Sequence, residues 1–350
     1  VIRKALICTT QVPFVSGGAE AHAAGLRDAL RAAGCEAEIV ALPFKAYPPE
    51  EIMRNVLAWR LLDLTESNGA KVDLVVGLKF PAYAVSHPRK VLWIIHQHRA
   101  AYNLAGTEYD DLLTQPEGAR VRELIRHCDA EFIPEARKVF ANSRTVAARL
   151  LRYNRIESEP LYHPPPRAAR LRAGETGDYV FFPSRLEAHK RQALLVEAMR
   201  FVRTPVRAVI AGAGAAFDGL RALAKRAGVM DRVRLPGFVP EEEMIDLYAN
   251  ALAVCYLPFD EDYGYVSLEA MYAGRALVVA SDGGGATEFV DDNDTGFVVA
   301  PDAREIAARL DALYADRALA RALGGRGREK ILALDLSWGR VAERILSAAG

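Results

Sequence analysis

Glu261 and Glu269 carry the most chemical content in this chain. They lie in Pro258-Phe259-Asp260-Glu261-Asp262-Tyr263-Gly264-Tyr265-Val266-Ser267-Leu268-Glu269-Ala270-Met271, after the apolar run Ala253-Val254-Cys255-Tyr256. Glu261 is expected in the loop, and Glu269 about a turn and a half into the following helix. A helix start offers backbone amides and a partial positive charge, which suits a diphosphate. Carboxylates on either side of such a site can each accept paired hydroxyls, one pair from a sugar ring and one from a ribose. The same spacing also fits a loop acid and a helix-surface acid, because acids near helix N-termini are stabilising by themselves.

The elements that must hold these residues form two series. In the first half, Ala5-Leu6-Ile7-Cys8, Glu38-Ile39-Val40-Ala41, Leu74-Val75-Val76, Val91-Leu92-Trp93-Ile94-Ile95 and Val139-Phe140-Ala141 read as strands, with helical patterns over 18–33 and 50–66 between the early ones. Such alternation predicts βαβ units and a parallel sheet. Tyr162-His163-Pro164-Pro165-Pro166 interrupts it, since consecutive prolines join neither a helix nor a central strand. A linker is expected from there to Gly177. The second series runs through Tyr179-Val180-Phe181-Phe182, Ala208-Val209-Ile210-Ala211, Val233-Arg234-Leu235, Ala253-Val254-Cys255-Tyr256 and Leu277-Val278-Val279-Ala280, with helices over 190–202, 217–227, 241–250 and from 265. The expectation is an α/β protein of two Rossmann-like, doubly wound domains, 1–168 and 177–336, facing an interdomain cleft at the carboxyl ends of their strands. A last amphipathic helix, N-capped by Ser337 and running over 337–350, has no strand after it and is expected to pack back on the first domain.

Composition narrows the function classes. The 350 residues hold 45 Lys+Arg against 45 Asp+Glu, a balance that gives no sign of nucleic-acid binding. Cys8, Cys35, Cys128 and Cys255 are scattered, without the close spacing of a zinc site, and are read as reduced thiols. No stretch approaches the ~20 apolar residues that span a bilayer. Val1-Ile2-Arg3-Lys4 leads into a strand and not a signal peptide, so a cytoplasmic location is expected, with a trimmed residue or leader suggested by the initial Val. The stretch 119–155 carries Arg120, Arg122, Arg126, Arg137, Lys138, Arg144, Arg149, Arg152 and Arg155. That run reads either as a solvated helix face or as a peripheral contact with anionic lipid headgroups or a diphosphate-linked acceptor.

The E-x7-E pattern in its strand–loop–helix setting resembles the signature of the family 4 retaining glycosyltransferases of GT-B fold. Pro183-Ser184-Arg185-Leu186-Glu187-Ala188-His189-Lys190 resembles the Arg…Lys loop that opens their C-terminal domain, and Ser281-Asp282-Gly283-Gly284-Gly285-Ala286-Thr287-Glu288 their glycine-rich loop. Val15-Ser16-Gly17-Gly18-Ala19-Glu20 resembles the first loop, and His96 follows Trp93-Ile94-Ile95 where the family often places a His. The resemblance covers nearly the whole chain, and implies transfer of a hexosyl unit from a UDP- or GDP-type sugar to an acceptor hydroxyl with retention. The leaving diphosphate itself would help take the acceptor proton. In the implied roles Arg185 and Lys190 neutralise the departing diphosphate, Glu261 binds sugar hydroxyls, His96 orients the sugar and Glu269 holds the ribose. Gly17, Gly18, Gly264, Tyr265 and Val266 offer amides to the phosphates, and Phe238 and Val239 contact the base, more by backbone than by side chain. His96-Gln97-His98-Arg99-Ala100-Ala101-Tyr102 resembles bacterial enzymes of surface-polysaccharide assembly, with Arg99 and Tyr102 on the side of a glycan or lipid-linked acceptor. Asp262 and Tyr263 stand where the family commonly has Gly and Phe, and the extra carboxylate leaves the sugar unassigned.

Other readings of the same residues stay in view. Arg185 and Lys190 fit surface charges, although Lys190 near a helix start is unfavourable without an anion. Asp260-Glu261-Asp262 is a DxD string of the kind that binds a metal in the other large glycosyltransferase fold. With a basic pair supplying positive charge, no metal and no cofactor are expected. Ala211-Gly212-Ala213-Gly214 begins like a dinucleotide fingerprint, but Phe217 occupies the third glycine position. A related epimerase, a phosphate-acceptor transferase and a non-catalytic sugar-nucleotide-binding protein are the competing functions.

Overall fold

The computed structural model describes residues 2–15 and 17–350; Val1 and Ser16, the latter within the expected first glycine loop, lie outside the described residues. The chain divides into two compact units, Val1–Pro166 with Leu336–Gly350, and Arg167–Asp335.

The first unit contains β1 (Lys4–Gln11), α1 (Gly18–Ala32), β2 (Glu36–Pro43), α2 (Glu50–Leu61), a short hairpin of β3 (Glu66–Ser67) and β4 (Ala70–Lys71), β5 (Leu74–Lys79), β6 (Lys90–His96), α3 (Gly118–Phe132), β7 (Lys138–Ala141), α4 (Arg144–Asn154) and β8 (Glu159–Pro160). Its sheet order is β2-β1-β5-β6-β7-β8, with every pair parallel. Alternation along β6 sorts the core. Val91, Trp93 and Ile95 join Leu26 and Leu30 of α1 on one face, while Leu92 and Ile94 join Ile52, Trp59 and Ile125 on the other. Successive strand residues point to opposite faces, so a sheet covered on both sides reads as the unbroken apolar run seen at 91–95.

The second unit contains β9 (Tyr179–Pro183), α5 (Gln192–Ala198), β10 (Arg207–Ala211), α6 (Phe217–Arg226), β11 (Val233–Gly237), α7 (Glu241–Asn250), β12 (Ala253–Tyr256), α8 (Tyr265–Tyr272), β13 (Ala276–Ala280), β14 (Gly296–Val299), α9 (Ala303–Ala315) and α10 (Arg317–Ala333). Its sheet is again fully parallel, in the order β11-β10-β9-β12-β13-β14. Residues 167–177, expected to belong to a linker, are fastened into this unit: the Gly174 and Gly177 amides donate to the carbonyls of Ala249 and Asn250, at 2.9 Å each. Arg275 donates to the carbonyls of Gly174 and Ala251.

After α10 the chain returns to the first unit as α11 (Trp338–Ala349), whose N-cap Ser337 hydroxyl accepts from the Arg340 amide at 3.3 Å. Trp338 lies on α1 at Gly25, where a Cβ would fall 2.2 Å from the indole. Among the described residues no helix is long and apolar enough to cross a membrane. Cys8, Cys35, Cys128 and Cys255 are free thiols.

Candidate functional site

In the second unit, three loops at the carboxyl ends of β9, β12 and β13 are knitted together by their backbones. The Asp260 amide donates to the Asp282 carbonyl at 2.8 Å and the Glu261 amide to Gly283 at 3.0 Å, while Gly285 donates back to Glu261 at 2.7 Å. Phe259 donates to His189 of the basic loop at 2.8 Å. Such close approach excludes side chains. Gly284 and Gly264 have φ of +57° and +54°, and a Cβ on Gly264 would come within 2.6 Å of Ala286 Cα. The second-half Ala211-Gly212-Ala213-Gly214 run does similar work. A Cβ on Gly212 would fall 1.8 Å from the Ser184 carbonyl oxygen, so its glycines pack against the Arg185 loop.

Lys190 and Glu261 meet in this seam as an ion pair, Nζ donating to Oε2, with side chains only 10% and 14% exposed. The Tyr256 hydroxyl also bonds Glu261; burial first, and then that carboxylate, hold the phenol well above its ordinary range, so it stays a donor. Arg185 lies on the same loop, exposed, and pairs with Glu187 at 2.8 Å. The clamp that sequence reasoning missed is Arg191. Its Nη1 reaches Asp282 at 2.8 Å while Nε and Nη2 donate to the carbonyls of Leu257 and Pro258 at 2.8 and 2.9 Å, tying the Glu261 loop to the glycine-rich loop. Arg191 directly follows Lys190, and only its planar fork distinguishes it from one more surface charge.

Gly264 caps α8, whose first turn includes Tyr265 and Val266. The helix is apolar around most of its circumference, and a helix of that kind is a buried one; Glu269 is its one charged residue and is itself buried. Its carboxylate is met by Arg167 Nη1 at 2.8 Å on Oε1 and by the Tyr248 hydroxyl at 2.7 Å on Oε2. Arg167 and Tyr248 were not among the expected site residues. Phe238 and Val239 follow β11, at the edge of the sheet. Phe238 is 79% exposed and Val239 is buried, so the aromatic ring is the group presented to solvent.

In the first unit, the Gly17 amide donates to Glu20 Oε2 at 2.8 Å, and Lys79 Nζ donates to Oε1 of the same carboxylate at 3.3 Å. Gly18 opens α1. Lys79 is the ladder partner of His96, so the Gly17 loop and the end of β6 lie at the same carboxyl end of the sheet. The His96 ring Nδ1 lies 2.9 Å from the Gln97 carbonyl. Arg99 is half-buried in a short turn after β6.

Tyr102 departs from its expected place. It is buried, its hydroxyl donating to Asp129 Oδ2 at 2.8 Å and accepting from Asn154 at 3.1 Å. Tyr83 and Gln97 complete the shell around Asp129, at 2.7 and 2.9 Å. An aromatic hydroxyl with an internal carboxylate to satisfy turns inward, and Tyr102 therefore presents nothing to an acceptor. Burial raises the Asp129 carboxyl to about 6 despite these three donors. The basic run is divided among several contacts. Arg122 and Arg126 both donate through Nε to the Ala101 carbonyl, Arg137 to the Pro88 and Ala349 carbonyls, and Lys138 pairs with Glu159. Arg144, Arg152 and Arg155 remain exposed on or just after α4.

Residues 167–330 match the family described as glycosyl transferases group 1. A GDP-mannose-dependent alpha-(1-6)-phosphatidylinositol monomannoside mannosyltransferase of Mycobacterium tuberculosis is 36% identical over 189 residues, 50% of this chain and 48% of that protein. The chain thus spans about half the length of that relative. A D-inositol 3-phosphate glycosyltransferase of Corynebacterium glutamicum is 26% identical over 307 residues, 79% of this chain and 71% of the relative. Among solved structures, sucrose-phosphate synthase from Thermosynechococcus elongatus superposes with a TM-score of 0.76 at 20% identity, covering 99% of this chain and 98% of that one. Anabaena HepE in complex with UDP and glucose does so with a TM-score of 0.72 at 17% identity and the same coverage.

Proposed function

The chain belongs to the family 4 glycosyltransferases of GT-B fold, with residues 167–330 as its group 1 part, and from that premise we propose that it moves a hexosyl unit from a nucleoside diphosphate sugar to an acceptor hydroxyl with retention. The observation that carries this reading is the seam of the second unit. There Lys190, Glu261 and the start of α8 share three interlocked loops, and Glu269 stands further along the same helix.

In this mechanism the diphosphate lies at the α8 N-terminus, against the amides of Tyr265 and Val266. Lys190 and Arg185 take up the negative charge that builds on it as the glycosidic bond breaks. Lys190 is held in place by Glu261, and Glu261 reads sugar hydroxyls. Glu269 receives the ribose hydroxyls, and Phe238 lies against the base. The acceptor's proton passes to the leaving diphosphate oxygen, which gains basicity as the bond breaks, and no separate protein base is required. The Lys190 ammonium already sits on the middle residue of the Asp260-Glu261-Asp262 string, and a divalent cation there would meet like charge. This supports chemistry without a metal at that string. One of the relatives is named for GDP-mannose and a solved neighbour holds UDP, which supports a UDP or GDP sugar as the donor. The relative's phosphatidylinositol mannoside substrate favours a lipid-linked or glycan acceptor, with the exposed Arg144, Arg152 and Arg155 as a peripheral contact with anionic headgroups at the inner face of the membrane.

The test is release of UDP or GDP from UDP-glucose and GDP-mannose, with chelator present, with and without phosphatidylinositol-containing vesicles or oligosaccharide acceptors, and proton NMR of the product's anomeric centre. Acceptor-dependent release with retained configuration, lost in Glu261→Gln, is the expected result. Release that ignores acceptor, or that requires a divalent metal, contradicts the proposal.

A further inference from the structure

Glu269 is the single charge on a helix that is otherwise packed away, and an ionised carboxylate at that depth has to be compensated. Both compensating groups come from outside the E-x7-E segment. Arg167 Nη1 reaches Oε1 at 2.8 Å from 102 residues upstream, and the Tyr248 hydroxyl reaches Oε2 at 2.7 Å from 21 residues upstream. Tyr248 cannot drift, because its ring is fully buried and stands edge-on to Phe181, with centroids 5.1 Å apart. Its burial, and then the Glu269 carboxylate, hold its hydroxyl far above the ordinary range, so it remains a donor. Arg167 opens the second unit and is half-buried, and the Glu269 pairing outweighs the effect of its burial to keep the guanidinium charged.

A carboxylate has about four lone-pair directions, two on each oxygen. With Arg167 using one on Oε1 and Tyr248 one on Oε2, one direction on each oxygen is left. Two neighbouring hydroxyls on a five-membered ring are a natural match for that pair. We infer that Arg167 and Tyr248 are positioning residues that fix the Glu269 carboxylate for a vicinal diol, and thereby set this site's preference for ribonucleotides over their 2′-deoxy counterparts. The inference rests on the donor site proposed above. A residue that merely stabilised the unit would weaken all nucleotides alike, whereas a residue that aims Glu269 changes the ratio between them.

The experiment is calorimetric titration of UDP, 2′-deoxy-UDP, GDP and 2′-deoxy-GDP into the full chain, its Tyr248→Phe, Arg167→Ala and Glu269→Gln variants, each checked for folding by circular dichroism. The unaltered chain should bind the better ribonucleotide about tenfold or more tightly than its deoxy partner, as loss of a hydrogen bond to a charged group requires. Tyr248→Phe, which keeps the ring in its contact with Phe181, and Arg167→Ala should bring that ratio below about threefold, with deoxynucleotide binding changed less than the ribonucleotide's. Should Arg167→Ala fail to fold, Tyr248→Phe alone decides. A full ratio in Tyr248→Phe, or equal weakening of both nucleotides, overturns the inference while leaving the donor site intact, provided Glu269→Gln loses the ratio. A ratio that survives Glu269→Gln removes Glu269 from ribose recognition, and no binding of any of the four nucleotides removes the donor site itself; either result overturns the inference as well.

Discussion

Removing the Lys190 ammonium should have two separable effects, one on folding and one on the reaction. With Lys190→Met, Glu261 keeps the Tyr256 hydroxyl but loses the Lys190 ammonium in a place where its side chain is only 14% exposed. Breaking one side of a buried ion pair costs about 3–5 kcal/mol, and the remaining hydroxyl and the margin of solvent bring the expectation here to about 2–3 kcal/mol. Glu261→Gln strands the ammonium similarly. In the double variant neither charge is left uncompensated, so the two losses should not add, and the cycle should return a coupling of about 2 kcal/mol. The probe matters. Trp59, Trp93 and Trp338 all belong to the first unit, so tryptophan fluorescence is silent on this pair. Native-state hydrogen exchange of the α8 amides reads the second unit directly. In turnover, loss of the charge that meets the departing diphosphate should lower kcat/KM by about 10²–10³. Additive losses, with coupling under about 0.5 kcal/mol, would refute the claim that these two residues hold one another in place.

Asp129→Asn removes a carboxyl raised to about 6 from its ordinary 3.8, so the folded chain holds that proton more tightly than the unfolded one and loses stability as pH climbs through that interval. Relative to the unaltered chain, the variant should gain about 2 kcal/mol between pH 4 and pH 7 in urea titrations followed by first-unit fluorescence, and a flat difference would contradict the assignment. His98 runs the other way: burial lowers it to about 4, so its contribution is present above pH 6.5 and is lost on acidification towards 4, and His98→Phe should flatten that limb of the same titration. Gly264→Ala forces a side chain into φ +54° and to within 2.6 Å of Ala286, and should abolish nucleotide binding while lowering the melting temperature. Arg191→Lys keeps the charge but cannot span Asp282 and the Leu257 and Pro258 carbonyls at once, and nucleotide affinity should fall by about tenfold in titration calorimetry.

What could be read from the sequence follows from periodicity and from chain neighbours. Strands buried on both faces, such as 91–95 and 276–280, announce themselves as apolar runs, and so both parallel sheets were legible. Glu261 and Glu269 were placed correctly on loop and helix because the strand, the glycine and the helical pattern occur in one continuous segment. Partners that arrive from elsewhere leave no such local mark. Arg167 fell in the expected linker and Arg191 at the start of the helix expected over 190–202, yet each is defined by a carboxylate 102 or 91 residues away. Tyr102 was misplaced for the same reason: Asp129, which turns it inward, sits mid-helix among arginines, where a carboxylate reads as a surface charge. The helical stretches after β14 carry no catalytic motif, and α9 and α10 went unassigned until the fold was seen.

The proposed transfer requires that the second unit bind a nucleoside diphosphate sugar through Lys190 without a metal. A thermal-shift panel of UDP, GDP, UDP-glucose and GDP-mannose, run with chelator on the unaltered chain and on Lys190→Ala, asks this directly, since bound ligand raises the melting temperature by mass action. A shift selective for one base, unchanged by chelator and lost in Lys190→Ala, is expected. No shift with any of the four, or a shift that appears only with added divalent metal, would contradict it.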